Sequence, residues 1–325
     1  MQAVWNGSQM PRAFLESLGL KWDDRVESTV CLYDGDALVA TGSRQGNLLK
    51  CIGVTPERQG EGLAAALLSE LTREAAAAGH AHMLLFTKPA NSKLFATLGF
   101  YPVGESEQAI LMENRRSRVD DFVRSIRRGG EGPVGAIVAN ANPFTKGHLH
   151  LVESAASRCG LVYLFILSEE QKGAFPAQDR LTMAKAATAH LPNVAVAPTG
   201  PYLVSSATFP EYFLKSQADA ENVHCALDLS IFAKRFAAPL GIRVRFVGDE
   251  PSSVVTRAYN EQMKRILPGY GIDVVELPRI EVDNQPISAS RVRELFGRGQ
   301  MDAIRPLVPE STFIRLHGGE KNEVR

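Results

Sequence analysis

Cysteine is scarce in this 325-residue chain, with four residues, Cys31, Cys51, Cys159 and Cys225, scattered along it. No CxxC or mixed His/Cys spacing gathers them, so no metal site is expected and the thiols read as reduced and mostly buried. Charge of one sign is also missing: 36 Lys and Arg stand against 36 Asp and Glu. Without a global field there is no expected hold on nucleic acid or on an anionic membrane. No uninterrupted apolar run reaches the roughly 20 residues that a membrane helix needs. The opening stretch MQAVWNGSQMPRAFLESLGL has no basic segment followed by an apolar one, and a cytoplasmic location is expected. Internal repeats and low-complexity segments are absent as well.

What remains is a soluble, globular balance of 45% hydrophobic and 22% charged residues. The chain is longer than the roughly 250 residues at which single cores stop growing, so two domains are expected. The run Gly129-Gly130-Glu131-Gly132-Pro133 marks the boundary, giving domains at 1–128 and 134–325 joined by a linker at 129–133. In the first half, strands are expected at Glu27–Asp34, Ala37–Ser43, Asn47–Val54, around HMLLFTK and near Ala109–Glu113, with helices at Gly62–Ala78, Asn91–Leu98 and Val119–Arg128. Beyond the glycines, near-continuous apolar strands alternate with amphipathic helices: strands at Val134–Asn140, Leu161–Leu167, Asn193–Ala197, Val223–Leu227, Arg243–Gly248 and Val274–Leu277, and a final helix starting at Ser288. That alternation predicts a doubly wound, mostly parallel sheet, whose ligands sit outside the carboxyl ends of its strands.

Two motifs carry chemistry. In the first half, Val54-Thr55-Pro56-Glu57-Arg58-Gln59-Gly60-Glu61-Gly62-Leu63-Ala64 joins a strand to a helix through small residues. Such a turn lets backbone N–H groups and a helix N-terminus approach a pyrophosphate. Gln59, Gly60, Gly62 and Ala64, followed by Asn91 and by Leu98-Gly99-Phe100, resemble the acetyl-CoA-binding core of the GNAT acetyltransferases over about residues 27–113. A GNAT-like α+β domain is expected there. No proton donor or acceptor for acetyl transfer stands out.

In the second half, the strand VGAIVANA runs into Asn142-Pro143-Phe144-Thr145-Lys146-Gly147-His148, and a helix follows at once. Pro143 fixes the turn, Gly147 permits a close approach, and the helix start offers unpaired N–H groups and a positive dipole end to phosphates. His148 lies in that first turn, whereas His150 is expected to be solvated. Far downstream, Ile287-Ser288-Ala289-Ser290-Arg291-Val292-Arg293 sets two hydroxyls and two guanidiniums at another helix start. Ser288 and Ser290 can cap that helix and also hold phosphate, Arg291 supplies a permanent forked cation, and Arg293 is open between site and surface. Together these resemble the HIGH-superfamily nucleotidyltransferases, with Thr145 where the first histidine of HxGH usually stands. The resemblance implies attack on the α-phosphate of ATP, with Mg²⁺ carried by the nucleotide. Thr145 and His148 would lie nearest the α-phosphate, and Ser288, Ser290 and Arg291 nearest the leaving pyrophosphate. On the same resemblance Lys172, in a glycine-bearing loop, stands where the superfamily meets substrate or phosphate. Gly248 and Asp249, at the end of the strand in RFVGDEP, stand where it meets adenine or ribose, the acids there being equally suited to cap the helix at Ser252. Arg180, in FPAQDR, is either part of that loop or a tie for its helix start.

NANPFTKGH, SSATFPEYF at Ser205–Phe213, RFVGDEP and PISASRVREL together resemble the acetate:citrate lyase ligase family over nearly the whole chain. A GNAT-like domain ahead of a nucleotidyltransferase domain is also that family's architecture. The resemblance implies an AMP-forming ligase whose partners are acetate and the acyl carrier subunit of citrate lyase, with its phosphoribosyl-dephospho-CoA arm. The GNAT-like glycine turn is then a candidate cradle for that CoA-like arm. Two other readings remain open at this point: a small-molecule adenylyltransferase of the pantetheine-phosphate or mononucleotide type, and a GNAT acetyltransferase with an ATP-sensing domain.

Overall fold

The computed structural model describes residues 3–5, 11–170, 173–203, 209–210, 212–214, 217–250 and 253–319. Its contacts divide the chain into two units: Met1–Asp121 with Ser206–Ile231, and Phe122–Ser205 with Phe232–Arg325. This differs from the split at the glycine run. Gly130 lies where a Cβ would come 2.9 Å from the Leu161 side chain, and the backbone of Glu131 is in contact with Gly160. The run therefore packs against the start of the strand that opens at Leu161.

The first unit contains β1 (Ala3–Trp5), α1 (Arg12–Ser17), β2 (Ser28–Asp34), β3 (Ala37–Gln45), β4 (Leu48–Val54), α2 (Leu63–Ala77), β5 (Leu84–Thr87), α3 (Ser92–Thr97), β6 (Tyr101–Glu105) and β7 (Ile110–Glu113). Helix α4 (Arg118–Ile126) runs across the division into the second unit. The seven strands lie in the order β1-β2-β3-β4-β5-β7-β6. All neighbours are antiparallel except β4 and β5, which run parallel and pair only through Leu48 with Leu84 and Leu49 with Leu85. Beyond that point β4 and β5 part. Leu67, Leu68, Leu71 and Ala75 make one face of α2, which closes the core against Val30, Ala40, Leu49 and Leu85. Burying such a side chain contributes about 1.5–3 kcal/mol. The arrangement is the GNAT-like α+β fold.

The second unit contains β8 (Val134–Ala139), α5 (Lys146–Ala156), β9 (Leu161–Ile166), α6 (Ala177–Ala187) and β10 (Val194–Pro198). Helix α7 (Gln217–Ile231) belongs to the first unit and runs on through a π-helical turn, Phe232–Ala237, and α8 (Ala238–Leu240). Then come β11 (Ile242–Gly248), α9 (Val254–Ile266), β12 (Asp273–Leu277), the short pair β13 (Glu281–Val282) and β14 (Gln285–Pro286), and helices α10 (Ala289–Gly297), α11 (Met301–Ile304) and α12 (Glu310–Gly319). Five strands form a wholly parallel sheet in the order β10-β9-β8-β11-β12. The chain leaves β8 toward β9 on one side and returns to β11 on the other. A crevice is therefore expected between the carboxyl ends of β8 and β11.

Three expectations need correction. Val223–Leu227 is not a strand but part of α7. Val223, His224, Cys225, Leu227, Leu229, Ser230 and Ile231 are all buried, and burial on every side erases the helical stripe and leaves a misleading alternation. The helix at Ser288 is followed by two more. A strand at Tyr101–Glu105, which is not among the expected ones, contains Pro102 and Gly104. It is an edge strand with an irregular register at those residues, where proline is tolerated.

Candidate active site

The turn after β8 is built to deliver His148. Asn142 is buried, and its Oδ1 accepts a hydrogen bond from the Phe175 amide at 2.8 Å. Phe144 is fully buried and stacks on the His148 ring, with 5.4 Å between centroids. Thr145 caps α5: its Oγ1 accepts from the His148 amide at 3.3 Å, and its own amide donates to His148 Nδ1 at 3.0 Å. An amide can only donate, so Nδ1 has no proton and the neutral ring carries its hydrogen on Nε2. Burial, reinforced by the positive charge of Arg279, pushes the His148 pKa down to about 4. His148 is thus a neutral hydrogen-bond donor rather than a cation.

Gly147 lines the cavity and also lies against the entry of α10. A Cβ there would sit 3.4 Å from the Ile287 carbonyl and 3.5 Å from Thr145 Oγ1. The entry of α10 thus lies within van der Waals reach of the first turn of α5. Ser288 caps α10 by accepting from the Arg291 amide at 3.2 Å. Arg293, open between two roles in the sequence, donates to the Asn142 carbonyl at 2.6 Å and to Ser290 Oγ at 3.1 Å. It joins the two motifs directly. Arg291 turns elsewhere, with Nη1 3.4 Å from the Val282 carbonyl.

These elements surround a cavity of about 360 Å³ at the β8–β11 switch point. Of the residues singled out in the sequence, Thr145, Gly147, His148, Gly248, Ser288 and Ser290 line it. Asn142, Pro143, Phe144, Asp249 and Arg291 are not among its lining, and Lys172 lies outside the described residues. His150, expected in solvent, is part of the wall, as are Arg245, Asn260 and Arg279. Asp249 instead holds Arg279: its Oδ1 accepts from the Arg279 amide at 2.9 Å and its carbonyl from Arg279 Nε at 2.7 Å. Glu250 pairs with Arg279 Nη2, and its Oε1 accepts from the Ser253 amide at the start of α9. Arg180, buried under this end of the sheet, ties the chain together through the carbonyls of Asn140, Glu169 and Phe175. That is a structural clamp. Among the described residues no group of His, Cys, Asp and Glu could hold a metal ion, and no helix is long and apolar enough to cross a membrane.

Residues 134–316 match the family model described as the citrate lyase ligase C-terminal domain. Citrate (pro-3S)-lyase ligase of Klebsiella pneumoniae is 42% identical over 93% of this chain and 90% of its own length. The enzyme of the same name from Escherichia coli K12 is 36% identical over 93% and 88%. The chain belongs to the citrate lyase ligase family. Among solved structures, Thermotoga maritima TmcAL bound with alpha-thio ATP matches at 16% identity and a TM-score of 0.38, over 59% of this chain and 56% of that one. That likeness is too loose to bear on the site.

In this ligase-family chain the glycine turn of the first unit is on the surface. Gly60 and Gly62 have φ of +87° and +80°, with open space where a Cβ would be, so backbone conformation rather than crowding demands glycine. Gln59 and Asn91 are exposed and Ala64 is half-buried, and Asn91 donates to Thr87 Oγ1 at 3.0 Å. The gap between β4 and β5 is filled by the chain itself. The Leu84 amide bonds to Asn47, so the Phe86 carbonyl, two residues along β5, is directed to the same side. It accepts from the Tyr212 hydroxyl at 2.6 Å, and the Phe209 ring meets Phe86 edge-on at 5.4 Å. Tyr212 and Phe209 fall in the stretch Ser205–Phe213, of which 205–208 and 211 lie outside the described residues.

Proposed function

We propose that the protein is the AMP-forming ligase that acetylates the prosthetic thiol of the citrate lyase acyl carrier. The observation that carries this is the meeting of two helix N-termini, α5 with Thr145 and His148 and α10 with Ser288 and Ser290, in one cavity at the switch point of a parallel sheet. Unpaired N–H groups, hydroxyls and a neutral imidazole N–H make a preorganised receptor for a polyphosphate.

ATP binds there with its Mg²⁺. An acetate oxygen attacks the α-phosphorus, the bond to the bridging oxygen breaks, and pyrophosphate leaves with that electron pair. Burial keeps His148 neutral, so its Nε2–H donates to an α-phosphate oxygen without presenting a proton that the acetate could take. Ser288 and Ser290 hold the departing end. The carrier thiol, giving its proton to solvent, then attacks the carbonyl carbon of acetyl-adenylate, and the carbon–oxygen bond to the phosphate breaks, so that AMP leaves with that electron pair. A free carboxylate is a poor acceptor for a thiol, and adenylation supplies its leaving group. The experiment is AMP and pyrophosphate release from MgATP with acetate and deacetylated holo carrier, in wild type and His148→Ala. AMP formation that depends on both acceptors and falls at least about 100-fold in the variant is expected. AMP retained in a dinucleotide product would favour the adenylyltransferase reading instead.

A further inference from the structure

Polyphosphate needs a permanent cation. Of those the sequence offered, Arg291 is not in the cavity lining and engages Val282, Arg293 is held by Asn142 and Ser290, and Lys172 lies outside the described residues. Arg245 does line it, but it is buried with its guanidinium 4.5 Å over the Phe232 ring. Arg279 is placed otherwise. It follows β12, lines the same cavity as His148, Ser288 and Ser290, and its side chain is about a quarter exposed. Two of its three guanidinium nitrogens are anchored, Nε on the Asp249 carbonyl and Nη2 on the Glu250 carboxylate. Its Nη1 has no partner among the described residues. The backbone on either side is fixed too, since the Arg279 amide bonds Asp249 Oδ1 and the Asp249 amide bonds the Leu277 carbonyl.

We infer that Arg279 is the arginine that grips the nucleotide's phosphates, in the role the sequence assigned to Arg291; this rests on the ATP reading above. A guanidinium held on one edge and open on the other loses little freedom when it binds, so its charge-assisted bonds go into affinity. Glu250 acts as a positioning residue: it draws Nη2 aside and leaves Nη1 toward the ligand space. Sequence offered no sign of this, because Pro278-Arg279 sits in no helix-start motif and gains its place only through the β11–β12 pairing.

The test is direct binding of MgATP, AMP and adenosine by calorimetry, without acetate or carrier, to wild type, Arg279→Met, Arg279→Lys and Arg291→Met. Arg279→Met is expected to weaken MgATP about 30-fold or more while changing adenosine less than about 2-fold. Arg279→Lys, which keeps the charge, is expected to recover most of that loss, and Arg291→Met to stay near wild type. In Arg279→Met the His148 ring, whose cavity neighbours also include Arg245, His150 and Glu250, is expected to titrate at higher pH than in wild type. Equal weakening of MgATP and adenosine, equal loss in the Met and Lys variants, or no loss at all would overturn the assignment. A wild type that binds neither nucleotide nor adenosine would instead remove the ATP reading on which it stands.

Discussion

Burial and the charge of Arg279 lower the His148 pKa from the ordinary 6.5 to about 4, and on the proposed role of its neutral ring this would set the acid limit of the reaction. At pH 5.5 a histidine with ordinary titration would be only about 9% neutral, whereas His148 would be about 97% neutral. Activity that depends on the neutral ring should therefore be almost the same at pH 5.5 as at pH 7.5, where an unperturbed ring would give about a 10-fold fall. The same shift has a consequence for stability. The unfolded chain takes up the proton near pH 6.5 and the folded one only near 4, so the stabilisation is fully present above 6.5. It is lost progressively as pH falls from 6.5 to 4, by at most about 3 kcal/mol because the ring is half-buried. Observation of the His148 ring by NMR across pH 3.5–8, alongside the rate of AMP formation, checks both statements. A ring midpoint between 6 and 7, or a 10-fold loss of rate by pH 5.5 that is absent in a folded His148→Asn control at its own lower rate, would refute the reasoning.

Arg293→Met leaves the Asn142 carbonyl without its guanidinium partner and unlinks Ser290 from the β8 turn. A loss of about 1–3 kcal/mol in urea unfolding, with at least a 10-fold fall in the rate of AMP formation, is expected. Tyr212→Phe removes the donor from a buried carbonyl of β5 and is expected to cost about 1–3 kcal/mol, seen as an earlier denaturation midpoint with unchanged affinity for ATP. Lys50→Met strips Asp23 of a buried partner at 2.7 Å while Arg25 remains. The expected cost is about 3 kcal/mol, measured at pH 7. Although burial alone would raise it, bonds from Arg25 and Lys50 hold the Asp23 carboxyl well below the usual carboxylate range. Its contribution is present above about pH 4 and fades as acid protonates it.

The sequence carried the elements whose signals are local. The TKGH turn and the ISASR helix start were legible because capping residues and a glycine announce a helix N-terminus wherever it ends up. The β8, β9 and β11 strands were legible from apolar runs bounded by turns. The partners of those motifs were not. Arg293 finds Asn142 across 151 positions of sequence, a pairing that no periodicity encodes. Arg279 enters the cavity because β12 lies beside β11, and His150 joins the wall because the cavity reaches along the first turns of α5. Helix α7 was misread for the opposite reason: its surroundings are so uniformly buried that the local pattern lost its period. The same buried surroundings draw its segment out of the domain to which chain order would assign it.

That interleaving bears on the order in which the protein can form. The first unit is not finished when residue 121 has been made, because β5 still lacks the hydroxyl of Tyr212, and Gly104 still lacks Ile231, which packs against the place where its Cβ would be. A ribosome adding roughly 5–20 residues per second needs on the order of 5–20 s to pass from residue 122 to residue 231. During that interval β5 is without Phe209 and Tyr212 at its gap with β4, and the surface over Gly104 is without Ile231.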